Sequence, residues 1–91
     1  MIMYSIEFSA KAAKSYIRLQ KKLRSQIDTK LNRIAENPYA KHNNIKPLSG
    51  MNNCYRLRVG SWRVVYEIAK KQIVIYVVKI AHRKEVYKND Y

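Results

Sequence analysis

The sequence predicts an α+β fold: two antiparallel helices packed on one face of a small, mainly antiparallel sheet, in the order β-α-α-β-β-β with a short C-terminal tail. Three observations carry this reading. Ile2, Tyr4, Ile6 and Phe8 alternate with Met3, Ser5 and Glu7, which is strand periodicity. Residues 10–36 then repeat apolar side chains at helical spacing. Residues 54–81 are dense in Val, Ile, Tyr and Trp, the types that suit a pleated surface. With 47% hydrophobic residues and only 2 Gly and 2 Pro, the 91 residues are expected to fold as one domain over 1–91 rather than remain a disordered or low-complexity segment. A chain this short buries only about 60–65% of its unfolded surface, so its core is thin.

Each element has a local cause. After the opening strand, Ser9 offers a helix N-cap. Ala13, Tyr16 and Ile17 share one helical face with Gln20, and Leu23, Ile27, Leu31, Ile34 and Ala35 continue at 3.6-type spacing. Two helices are expected, the second starting at Ser25, whose Asp28 three residues on resembles a capping pair, or nearer 19–22. Asn37-Pro38 ends the helical stretch, because proline restricts the residue before it and cannot continue the ladder. Residues 39–49 are polar, carry Asn43, Asn44 and Pro47, and are expected to be a surface loop. Strands follow over 54–59, 62–68 and 72–81, with Gly60-Ser61 as a Gly-first two-residue hairpin loop and 69–71 as the next turn.

That hairpin fixes a register by arithmetic. Val59 opposes Trp62, Arg58 opposes Arg63, Leu57 opposes Val64, Arg56 opposes Val65 and Tyr55 opposes Tyr66. Tyr55, Leu57, Val59, Trp62, Val64 and Tyr66 then form an apolar face for the helices, while Arg56, Arg58 and Arg63 project together from the other, exposed face. Like charges opposed across strands repel, so Arg58 and Arg63 require either a bound anion between them or side chains that splay apart, with Glu67 on the same face as a further partner.

Nineteen Lys and Arg against six Asp and Glu give a formal charge of +13, divided almost evenly between the two halves. Such a field favours a polyanion: nucleic acid, an anionic membrane surface or an acidic protein. The lone Cys54 excludes an internal disulfide framework and every multi-cysteine zinc pattern, and its apolar setting suits a buried, inert thiol. No stretch reaches the ~18 apolar residues of a transmembrane helix, and MIMYSIEF lacks the charged start of a signal peptide, so a cytoplasmic chain without membrane contact is expected. His42 lies in the polar loop and is given no role.

The segments NNCYRLRVGSWRVVYEI, IVIYVVKI and HRKEVY together resemble the RelE/ParE toxin superfamily, in its RelE branch. The likeness covers nearly the whole chain: the opening EFS-x-x-A, the helical hairpin closed by ENP, and Lys46-Pro47-Leu48-Ser49-Gly50 come in the family's order. It implies the toxin of a type II toxin–antitoxin pair, a ribosome-dependent endoribonuclease that cuts mRNA in the ribosomal A site with no metal or other cofactor. A cognate antitoxin, the ribosome and mRNA are the implied partners, with electrostatic contact to rRNA.

In that chemistry the 2′-hydroxyl attacks the adjacent phosphate. The site must take up a proton, stabilise the charge gathering on the phosphoryl oxygens and protonate the departing 5′-oxygen. Carried over by position, the family's two basic residues on the first hairpin strand fall on Arg56 and Arg58, its phosphate-stabilising arginine on Arg63, its tail arginine on Arg83 and its stacking tyrosine on Tyr87. His82 takes the base or the acid role, and Lys46 joins Arg56, Arg58, Arg63, Arg83 and Tyr87 as an RNA contact. The best-known branch has lysines where this chain has Arg56 and Arg58, and arginine is a poor general base, which leaves the proton-transfer residue open. The ParE branch shares the fold but inhibits DNA gyrase by binding; the arginine cluster with HRKEVY favours the nuclease. An RNA-binding fold that does not cleave is the third reading.

Overall fold

In the computed structural model, which describes residues 2–86, the chain runs β1 (Ser5–Phe8), α1 (Ala10–Ile17), α2 (Lys21–Glu36), β2 (Ile45–Pro47), β3 (Cys54–Val59), β4 (Trp62–Ala69), β5 (Val74–His82) and α3 (Arg83–Val86). The strands form one sheet in the order β1-β5-β4-β3-β2, antiparallel throughout except for β1, which pairs parallel with β5. The expected α+β class holds. Among the described residues no helix is long and apolar enough to cross a membrane.

Ser9 caps α1 as expected, accepting the Ala12 N–H at 3.0 Å, and its hydroxyl also donates to the Val78 carbonyl at 3.1 Å. Held at this angle, with Phe8 and Tyr16 rings 5.1 Å apart, α1 turns Ala12 into the core and leaves Ile17 68% exposed, which corrects its expected place on the apolar face. The helix break also falls earlier than Ser25. Arg18 and Leu19 close α1 by donating to the Ser15 and Tyr16 carbonyls, Leu19 is buried in the connection, and Gln20 is extended before α2 begins. Asp28 caps nothing; it accepts the Tyr16 hydroxyl on both oxygens, at 2.7 and 2.9 Å, and so ties α1 to α2.

The 39–49 segment is not all loop, because Ile45–Pro47 adds β2 to the free side of β3. The Arg58 N–H donates to the Asn44 carbonyl and the Leu48 N–H to the Cys54 carbonyl. By alternation, Ile45 and Pro47 direct their backbone groups outward. The Ile45 N–H is already given to the His42 carbonyl, and Pro47 has none.

The hairpin register of β3 and β4 is the one the two-residue loop implies, residue for residue. Between β4 and β5 the pairing shifts: Val65 faces Lys79 but Tyr66 faces Val77, leaving Val78 as an extra residue. That bulge changes the parity of β5. Ile75 and Val77 before it, and Ile80 after it, reach the core, while Lys79 and Ala81 turn to the other face. The core forms on the helix side, where Ala12, Leu19, Ile27, Leu31, Ile34 and Ala35 meet Leu57, Val64, Tyr66, Ile68, Ile75 and Val77.

Candidate functional site

Away from the helices, the sheet carries two rows of basic residues. One row runs Lys46, Arg56, Val65, Lys79 across β2, β3, β4 and β5; the next runs Arg58, Arg63, Ala81 across β3, β4 and β5. Lys46, Arg56, Arg58 and Arg63, with Asn43 and Asn44, line a cavity of about 270 Å³. The four sequence-selected residues of the central strands and β2 are thus brought together. Their convergence follows from pairing alone, since β2 places Lys46 directly opposite Arg56 and the hairpin places Arg58 opposite Arg63.

Arg58 and Arg63, directly opposed in the register, each have neutral acceptors of their own. Arg58 donates through Nη2 to Asn44 Oδ1 at 3.1 Å, on the β2 side. Arg63 donates through Nη1 to the carbonyls of Gly60 at 3.3 Å and Trp62 at 3.1 Å, on the turn side. The two guanidinium groups share none of these acceptors. Arg63 is also only 8% exposed, which corrects its reading as an exposed charge: the turn and its neighbours enclose it. A guanidinium has five N–H donors in a planar fork suited to bidentate phosphate contact, and a fixed fork needs no reorganisation when charge develops before it.

The remaining sequence-selected residues lie elsewhere. Arg83 opens α3 beside the hairpin turn, its N–H donating to the Ser61 carbonyl at 2.7 Å, with an exposed side chain that does not line the cavity. His82 pairs with Trp62, and their rings meet edge-on with centroids 5.5 Å apart, on the side of the sheet where Trp62 packs against the core. The bulge puts it there: the structure does not bring His82 to the arginines. Tyr87 lies outside the described residues. Glu67 sits one row away, between Cys54 and Tyr76. Burial, and then the Glu67 charge, push the Cys54 thiol above its usual range, as suits an inert side chain.

Sequence reasoning missed Lys79, Asn43 and Asn44. Lys79 is 9% exposed and shares the arginine face, but period-2 counting along β5 assigns it to the opposite face; only the bulge reveals it. The two asparagines read as loop composition, and their place in the cavity depends on the short β2.

Comparison with known proteins agrees with this architecture. The family described as the ParE toxin of the type II toxin–antitoxin system, parDE, matches residues 6–87. The mRNA interferase toxin RelE of Escherichia coli (strain K12) is 30% identical over 88 residues, covering 92% of this chain and 90% of that protein. A mutant E. coli toxin RelE solved in the free state superposes with a TM-score of 0.79 at 28% identity, over 96% of this chain and 93% of that one. The toxin in the intact E. coli RelBE toxin–antitoxin complex gives 0.76 at 28% identity, over 87% and 95%. A continuous match to the family, joined to a RelE-like fold and a basic cavity built from the resembling hairpin, makes this chain a member of the RelE/ParE toxin superfamily, of the RelE type.

Proposed function

We propose that this chain is the toxin of a type II toxin–antitoxin pair and an endoribonuclease that cleaves mRNA on the ribosome, in the A site. The observation that carries the reading is the cavity into which β2, β3 and β4 bring Lys46, Arg56, Arg58 and Arg63. Its cationic forks suit a phosphodiester whose charge grows during attack. The 2′-oxygen loses its proton and bonds to phosphorus, the bond from phosphorus to the 5′-oxygen breaks, and that oxygen takes up a proton. Arg63, enclosed and held by two carbonyls, stabilises the phosphoryl oxygens; Arg56 and Arg58 bind the same phosphate and its neighbour; Lys46 and Arg83 hold flanking backbone. Tyr87 is the stacking residue by family position, while His82, paired with Trp62 on the core side of the sheet, stands apart from the arginines.

RelE-like toxins solved in toxin–antitoxin complexes support an antitoxin as the protein partner. With a charge of +13, an acidic segment that binds the folded chain stabilises it by mass action and relieves its self-repulsion. Ribosomes and their mRNA place the site of action in the cytoplasm. Translation in vitro with the purified chain, mapping mRNA 5′ ends by primer extension beside ribosome-free mRNA, tests the reading. New ends within codons, on ribosomes only, are expected. Intact message in the presence of folded protein would refute the nuclease and turn attention to a toxin that acts by binding.

A further inference from the structure

The arginine cavity does not end at Arg58. β2 begins at Ile45, opposite Leu57, so the last residues of β3, Arg58 and Val59, lie beyond its paired span, and on that side the Arg58 N–H goes to the Asn44 carbonyl at 2.8 Å. A second depression, of about 390 Å³, opens at this notch and shares Asn44 and Arg58 with the arginine cavity. It adds Gln26 and Lys30 of α2. A third, a crevice of about 180 Å³, shares Asn44 and Lys30 with the second and runs between α2 and β2, with Arg33 lining it and Ile34 and Leu57 buried beneath.

The three depressions therefore form a path from the arginine face, around the end of the sheet, onto the helix side. Arg56, Arg58 and Arg63 line the first, Arg58 and Lys30 the second, and Lys30 and Arg33 the third. None of the described residues lining these depressions is acidic. Gln26, Lys30 and Arg33 fall on one face of α2 by helical spacing, so the helix presents its polar groups to the path as a set. A chain of cations ending over an apolar floor walled by the Asn43 and Asn44 amides matches single-stranded RNA, which offers a phosphate at each step and a flat base that can leave its stack.

We propose that a single-stranded RNA segment continues from the arginine cavity through the Asn44 notch, with Lys30 and Arg33 holding phosphates beyond the one at Arg63 and an unstacked base resting over Ile34 and Leu57. This rests on the reading of the arginine cavity as a phosphate site and extends it to a second subsite. The path uses residues outside the reacting centre, so its loss weakens binding of long strands and leaves short ones unchanged.

The test uses the full chain and oligoribonucleotides whose 2′-hydroxyls are methylated, so that they bind without being cut: one of about three nucleotides, one of about nine, and a duplex of the longer sequence. Fluorescence anisotropy against salt compares wild type with Lys30→Gln/Arg33→Gln and with the charge-keeping Lys30→Arg/Arg33→Lys. The glutamine pair should weaken the longer single strand about tenfold and make its salt dependence shallower by about 1.4 in log–log slope, two phosphates' worth. The short strand should bind as before, and the charge-keeping pair should restore the long one. Equal weakening of both lengths, or none of the longer, overturns the path while leaving the arginine-cavity reading intact. A loss confined to the duplex overturns the single-strand assignment. Wild type that binds neither strand at low salt refutes the phosphate reading of the cavity and the path with it.

Discussion

Arg63→Ala separates the chemical from the structural work of one side chain. In the fold, the substitution removes the two Nη1 bonds to the Gly60 and Trp62 carbonyls. Hydrogen bonds to a charged donor contribute about 1.5–3 kcal/mol when buried, but Gly60 is exposed and its carbonyl can turn to water, so the lower end applies. Against this, Arg58 loses a like charge directly opposite, a relief of less than about 1 kcal/mol near the surface. The net loss is about 1 kcal/mol, or a melting temperature lower by roughly 4–8 °C for a domain of this size. In the reaction, loss of a preorganised donor facing the developing charge costs about 10²–10³ in rate. Single-turnover cleavage of ribosome-bound mRNA and urea denaturation of the same sample measure the two effects separately. Cleavage within threefold of wild type, by protein shown to be folded, would refute the role assigned to Arg63. A loss of rate matched by loss of folded protein would show Arg63 to be structural only.

Other consequences follow from single contacts. Ser9→Ala removes the α1 cap and the bond to Val78 together, and should cost about 1–2 kcal/mol in urea denaturation; an unchanged midpoint would deny the double role. Burial and then the neighbouring Tyr55 hold the Tyr66 phenol well above its ordinary 10.0, and burial and then Glu67 hold the Cys54 thiol above 9.0. The folded chain keeps both protons longer than the unfolded chain, so stability is full below about pH 9 and falls as the unfolded groups ionise above it. Urea midpoints from neutral pH upward check this sign, and Tyr66→Phe should flatten the decline; a profile with no fall above pH 9 would contradict it. His82→Gln should change cleavage less than tenfold, against the ~10²–10⁴ expected for loss of a general acid or base, while Lys79→Met, on the arginine face, should weaken RNA binding and make its salt dependence shallower. A loss of cleavage of about 10²-fold or more in His82→Gln, by folded protein, would assign the proton-transfer role to His82.

Most of the site was legible because a two-residue loop leaves no freedom. Once Gly60-Ser61 is read as the turn, every pairing of β3 with β4 follows, and with it the meeting of Arg56, Arg58 and Arg63. What escaped were places where one residue changes the count. Val78 reverses the faces of β5, and no composition signal marks it, since a bulged Val reads like any strand Val. β2 is three residues long and contains a proline, so its local signal is that of a loop until a partner strand stands beside it. Helical spacing places Ile17 on an apolar face but does not give that face its direction, which Ser9 and the Phe8–Tyr16 contact decide.

The outer edge of β2 bears on how this molecule meets others. A strand joining a sheet needs donors and acceptors in alternation. Here the outward Ile45 N–H is spent on His42 and Pro47 has no N–H, so an arriving strand would find carbonyls alone. Copies of the chain, or a peptide seeking a backbone partner, gain little at this border. Nucleic acid asks nothing of a sheet edge; it needs charge and a place to lay a base. The edge thus discriminates by polymer type, staying closed to polypeptide beside the notch where a phosphodiester strand has its way past.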